Sequence, residues 1–204
     1  MFRRCIISCS ILLMLVVGAG CDFKKFGNVD QGRAIAFDKD NWTMTMIRDQ
    51  STTPGKPDYS YLPPVTYALP TDRHEMGPEP KVGMRMKLDA QKREIVVFIP
   101  TLQSFATIHY TLVDEKEGID ERNPLVFDGV EGKPKSFPIV DKIKKTITIY
   151  SKRQRLLTTF SVPDEYFALP ENTWDTGDEM RVFYQKPGVA LRVMNVTRTD
   201  IFKK

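Results

Sequence analysis

His74 lies in the charged stretch Thr71-Asp72-Arg73-His74-Glu75, where an imidazole beside Asp72 or Glu75 has the parts of a general base. Its surroundings lack HExxH, Cys–His or Ser–His–Asp spacing, and His109, the other histidine, falls within a strand pattern. Met44 and Met46, and again Met84 and Met86, alternate, so each pair shares one strand face. Soft thioethers suit Cu(I). They fill apolar cores equally well, and no Cys or His stands beside them at ligand spacing. The Asp38-Lys39-Asp40-Asn41 cluster could meet a divalent ion but lacks the Gly and distant Glu of an EF-hand, and the acidic stretch 114–121 could bind one as well. Such clusters more often bond their own turn or stay solvated. No catalytic, metal-binding or cofactor-binding residue is therefore assigned, and the chain is not expected to be an enzyme. A hydrolase using His74 and a copper-handling protein using the methionine pairs stand as alternatives.

Lys142, Lys144, Lys145, Lys152, Arg153 and Arg155 crowd one hairpin. Near an anionic leaflet each would contribute about 1 kcal/mol. Lysines on an outer strand also discourage edge-to-edge association. Tyr59, Tyr61 and Tyr67 sit among prolines and fit either an exposed recognition surface or a segment folded back over a core.

The elements that must hold these residues are strands. Residues 33–37 and 42–47 alternate around the Asp38–Asn41 turn and read as a hairpin. Residues 83–88 and 94–99 repeat the design 51 residues later, from Gly32 to Gly83 and from Asp38 to Asp89. Asp141 opens a third hairpin over 141–150. Residues 105–113, 155–162 and 189–196 are further strands, and only 163–169 suits a short helix. The prolines of 51–80 exclude a helix and most of a central strand. A longer recurrence pairs Tyr67-Ala68-Leu69-Pro70 with Phe167-Ala168-Leu169-Pro170, and Gly83 with Gly177. The expected fold is all-β with little helix, in two similar small β-barrel-like or sandwich halves from an internal duplication. The boundaries are 1–20 for a removed signal peptide, 21–28 for a tether, 29–113 for the first β half and 125–204 for the second, with an acidic connector at 114–124.

The N-terminus supplies an address. Arg3 and Arg4 precede an apolar run over 5–17, and Gly18-Ala19-Gly20 puts small residues directly before Cys21. The layout is that of a secretory signal, too short for a spanning helix. With a cysteine at the cleavage edge it resembles a bacterial lipoprotein signal, although Gly18 replaces the usual Leu. The resemblance implies a diacylglyceryl group on the Cys21 thiol, cleavage before Cys21, and acylation of the new amine. One chain anchors only marginally, at about 0.8 kcal/mol per buried methylene, whereas two or three hold firmly. Asp22, by the sorting rule known for such lipoproteins, favours the inner membrane facing the periplasm; the outer membrane is the alternative. The stretches 27–33, 187–192 and 197–200 resemble an uncharacterised family of bacterial lipoproteins, which supplies no activity, ligand or site residue.

Charge and cysteine content agree with an exported body held by its core. The chain carries 30 basic and 26 acidic side chains; removing 1–20 takes Arg3 and Arg4 and no acid, leaving 184 residues at +2. So small an excess argues against nucleic acid as a partner. Cys5 and Cys9 leave with the signal, so the mature chain has no second thiol for a disulfide or a zinc site. The expected function is that of a lipid-anchored binding or scaffolding module in the cell envelope. It would touch the membrane through Cys21 and take a protein or envelope-polymer partner in a cleft between the halves.

Overall fold

The computed structural model describes residues 26–51, 53 and 56–199. The expected signal peptide, Cys21 and most of the expected tether lie outside the described residues. The chain opens with the hairpin β1 (Asn28–Asp38) and β2 (Thr43–Arg48), then β3 (Val65–Ala68). A meander follows of β4 (Arg85–Asp89), β5 (Glu94–Ile99) and β6 (Ser104–His109), and β7 (Thr111–Lys116) succeeds it. The small ribbon β8 (Phe127–Asp128) and β9 (Lys133–Pro134) leads to β10 (Ile139–Asp141), β11 (Thr146–Ser151) and β12 (Leu156–Ser161). A single helical turn, α1 (Asp164–Phe167), precedes the final hairpin β13 (Glu179–Lys186) and β14 (Val189–Asn195), and α2 (Val196–Thr199) ends the described chain.

Five strands close a barrel in the order β1-β13-β14-β3-β2. All its pairings are antiparallel except β14 with β3. Period-two alternation sends Ala34, Met44, Met46, Tyr67, Met180, Val182 and Val193 inward, where they form a fully buried core. The sheets β4-β5-β6 and β10-β11-β12-β7 make a second unit. Between them lie Leu88, Ile95, Val97 and Ile108 on one side and Ile147, Ile149 and Phe160 on the other, closed by Trp174. Strand β5 reads Ile-Val-Val-Phe-Ile because both of its faces are covered. Phe98, with Met84 and Met86, packs in a third cluster with Ile35 and Ile47 of β1 and β2, joining the barrel to the second unit.

The expected all-β chain with little helix is what the structure shows. Its units nevertheless do not follow the stretches 29–113 and 125–204. The barrel takes β1–β3 from the first and β13 and β14 from the second, and the two-sheet unit likewise combines β4–β7 with β10–β12. The halves are thus not two self-contained barrels. The 51-residue recurrence has a local cause. Asp38 Oδ1 accepts the backbone N–H of Asp40 and Asn41, each at 2.9 Å. Asp89 Oδ1 accepts that of Lys92 at 3.0 Å, and Asp141 Oδ1 those of Ile143 and Lys144. Trp42, Arg93 and Lys145 each close their turn with φ of 51°, 57° and 51°. One turn type is used three times, and its side-chain-to-backbone bonds hold the Asp38 and Asp89 carboxyls below the ordinary carboxylate range.

A left-handed φ costs a side-chain-bearing residue roughly 1–2 kcal/mol, whereas glycine adopts it freely and loses about 0.5–1 kcal/mol in chain entropy. Arg93→Gly is therefore expected to raise stability by about 0.5–1 kcal/mol, read as a higher urea midpoint at unchanged m. A lower midpoint would contradict the left-handed assignment.

Two other expectations change. The strand at 105–113 is broken at Tyr110, where the chain leaves the sheet of β6 and enters that of β7. Tyr110 is buried with its ring 4.7 Å from that of Phe160, and its N–H bonds Arg93 O, so it forms a packed corner. In the proline-rich stretch, β3 does take a place in the barrel. Val65–Ala68 falls between Pro64 and Pro70 and keeps all its donors. The two Ala-Leu-Pro motifs serve different cores, Leu69 in the barrel and Leu169 against the two-sheet unit.

Candidate functional site: a cleft between the barrel and the two-sheet unit

A cleft of about 1470 Å³ opens between the two units. The barrel side offers Arg33 and Glu179, and the opposite wall includes Phe105, Phe137 and Tyr150. Ten basic and six acidic residues line it, a local excess of four positive charges in a chain whose net charge is +4, so the positive character is concentrated here. Four of the acids are engaged by neighbouring bases. Lys81 meets Asp175 at 2.7 Å, Lys152 meets Glu121 at 2.7 Å, Arg155 meets Asp120 at 2.5 Å and Arg198 meets Asp178 at 3.0 Å.

Two guanidinium groups stand apart from these pairs. Register slips between Arg85 and Lys87 where β4 meets β5, and the carbonyls around this bulge turn toward β1. Arg33 Nη1 donates to Arg85 O at 3.1 Å and Met86 O at 3.3 Å, and Nη2 to the Tyr59 hydroxyl at 3.4 Å. The Arg33 guanidinium also stacks on the Tyr59 ring, 4.4 Å from its centroid. Arg85 is 8% exposed, and its Nε donates to Trp174 O at 2.9 Å. Burial, and then the neighbouring Arg33 charge, pull the Arg85 guanidinium down to about 10, against the opposing pull of Asp175. Burial raises the Tyr59 hydroxyl, keeping it protonated.

The residues singled out by sequence fall elsewhere. His74 sits exposed in a one-turn 3-10 segment, Arg73–Glu75, and its backbone N–H donates to Asp72 Oδ1 at 2.9 Å. Glu75 is held by Arg192 Nε and Nη2 at 2.5 and 3.1 Å, which keeps its carboxyl low. Neither carboxylate is thus turned to serve His74, and none of the three lines the cleft. His109 is exposed, 3.7 Å from Glu94. Met44 and Met46 have no exposure in the barrel core, and Met84 and Met86 belong to the third cluster, so the structure does not join the pairs. No group of three or more His, Cys, Asp or Glu suited to a metal occurs among the described residues.

The basic hairpin is largely paired: Lys144 with Asp141, Lys145 with Asp164, Lys152 with Glu121 and Arg155 with Asp120. The tyrosines fold back rather than project. Tyr59 and Tyr67 are buried, and Tyr61 lies under the Arg48 guanidinium at 4.0 Å. Arg33 and Arg85 were not singled out from sequence. Alternation groups Arg85 with the exposed Lys87 on the face opposite Met84 and Met86, so nothing local marks it for burial.

The described fold is that of a mostly β protein, a closed five-stranded barrel with further small sheets around it. The chain belongs to the family of a domain of unknown function, DUF4881, whose model matches residues 25–204. No curated protein and no solved structure matches the chain. Among the described residues, no helix is long and apolar enough to cross a membrane.

Proposed function

We propose that the protein is an exported lipoprotein, anchored through lipid on Cys21, that works as a binding or scaffolding module with the inter-unit cleft as its binding face. The observation that carries this reading is the pairing of a lipoprotein-like signal ending at Cys21 with a large cleft walled by both units. Aromatic walls beside convergent polar groups are the ordinary make-up of a binding site. Four of the cleft's six acids are held in ion pairs, an arrangement suited to holding a ligand rather than transferring protons. Asp22 favours retention at the inner membrane, facing the periplasm.

The test is fractionation of the wild type against Cys21→Ser, with mass spectrometry of the N-terminal peptide. The wild type is expected in the membrane fraction, beginning at residue 21 and carrying a diacylglyceryl mass. Cys21→Ser is expected to lack that mass and the cleavage before residue 21. A bare Cys21 in the wild type, or an uncut leader, would refute the anchor.

A further inference from the structure

We propose that Arg85, with Arg33 beside it, forms an oxyanion-binding site in the cleft, taking a carboxylate or phosphate group on the ligand. This rests on the cleft being the binding face and is independent of the lipid anchor.

Arg85 is more than nine-tenths buried, yet the only hydrogen bond of its side chain among the described residues is from Nε to Trp174 O. Neither Nη atom has an acceptor there. The Arg85 Nη atoms are not among the polar atoms shut off from solvent, so the residue's small exposure puts them at the cleft surface, while two neighbouring donors, Arg33 Nε and Trp174 Nε1, are buried without a partner. Arg33, Arg85 and Trp174 all line the cleft. What they leave unsatisfied are donors alone, and burying donors and positive charge without a counter-charge is costly unless something supplies acceptors.

The nearby carboxylate does not do so. Asp175 attracts Arg85, but its Oδ2 is held by Lys81 at 2.7 Å and its Oδ1 accepts the N–H of Thr176 at 2.8 Å. Arg33 is also committed, its Nη atoms facing two carbonyls and Tyr59, so it adds charge and fixes the wall. The free end of Arg85 presents two parallel N–H groups, which match two oxygens of one carboxylate or phosphate. Phe105, Phe137 and Tyr150 supply an apolar wall for the body that carries the anionic head.

The experiment uses the full chain purified in mild detergent. Thermal unfolding is followed in inorganic phosphate, in acetate and in chloride at matched ionic strength. Phosphate or acetate is expected to raise the melting temperature by about 3 °C or more beyond chloride, and the larger rise identifies the oxyanion. Arg85→Met should abolish that specific rise, while melting in chloride at or above the wild type because the buried charge is gone. Arg85→Lys keeps a charge without the fork and should weaken the apparent affinity about tenfold. Equal melting of the wild type in all three salts would overturn the proposal, as would an anion response that survives Arg85→Met. If Arg85→Met does not fold, an undiminished response in Arg85→Lys overturns it. A negative result with a lipidated Cys21 removes the anion site and leaves the anchor standing; a positive result with a bare Cys21 does the reverse.

Discussion

Gly177→Ala is expected to prevent the chain from reaching its folded state. A Cβ at residue 177 would lie 1.9 Å from Ala34 O, 3.0 Å from Ala34 C and 3.1 Å from Gly83 N. All three are backbone atoms, so no side chain can swing aside. The neighbouring segment is equally tight, since a Cβ at Gly83 would meet Asp175 O at 2.4 Å. The same crossing carries the bonds Gly83 N to Ala34 O and Ala34 N to Asp178 O, at 3.2 and 3.0 Å. Moving the strands apart therefore breaks the joint between barrel and two-sheet unit. The expected loss is about 4 kcal/mol or more, a large part of the roughly 5–15 kcal/mol that holds a domain together. It would be read as insoluble expression or as a collapsed urea midpoint. Gly129→Ala, placed in open space, is the control and should shift stability by less than about 0.5 kcal/mol. A Gly177→Ala protein that unfolds with the control would remove the crossing from the account of the fold.

Asp178→Ala should cost about 2–4 kcal/mol, the sum of the buried donors it leaves without an acceptor. The Asp178 side chain is buried, and its Oδ2 accepts from Lys81 N at 2.9 Å, Asn195 Nδ2 at 2.8 Å and Arg198 Nε at 3.0 Å. Removing it leaves the Lys81 amide and one N–H of the wholly buried Asn195 without their acceptor, each with its own desolvation penalty, while the half-exposed Arg198 guanidinium turns to water. Asp178→Asn should cost less, because the amide oxygen can take the place of Oδ2 and only the negative charge facing Arg198 is lost. Urea unfolding at low and high salt checks the assignment. The loss should persist at high salt, since a buried group is little screened. A loss that disappears in salt would mark Asp178 as a surface charge.

The hairpins were legible because their information is local. Alternation over 42–47 and the apolar run over 94–99, each set against an Asp-initiated turn, mark the strands, and in the first they also mark which side chains face inward. Closure of the barrel was not legible, since β1 pairs with β13 through contacts such as Asn28 with Tyr184, far apart in sequence. The recurring glycines were visible, but each looked like the start of a strand. Their meaning lies in meeting one another and Ala34, which no window of sequence contains. The methionine pairs could be weighed correctly as core from their bare neighbourhood. Arg85 could not be assigned, because the lack of an acceptor at its Nη atoms depends on a bulge, on Trp174 and on the position of Lys81.

Barrel closure by both ends of the chain also sets an order of assembly. During synthesis β1, β2 and β3 emerge first but have no seam to join until β13 and β14 follow, some 110 residues after β3. Until then β1 and β3 present open hydrogen-bonding edges. A nascent or C-terminally truncated chain is thus a natural client for a holding chaperone, and loss of the last hairpin leaves the first three strands without a barrel to enter.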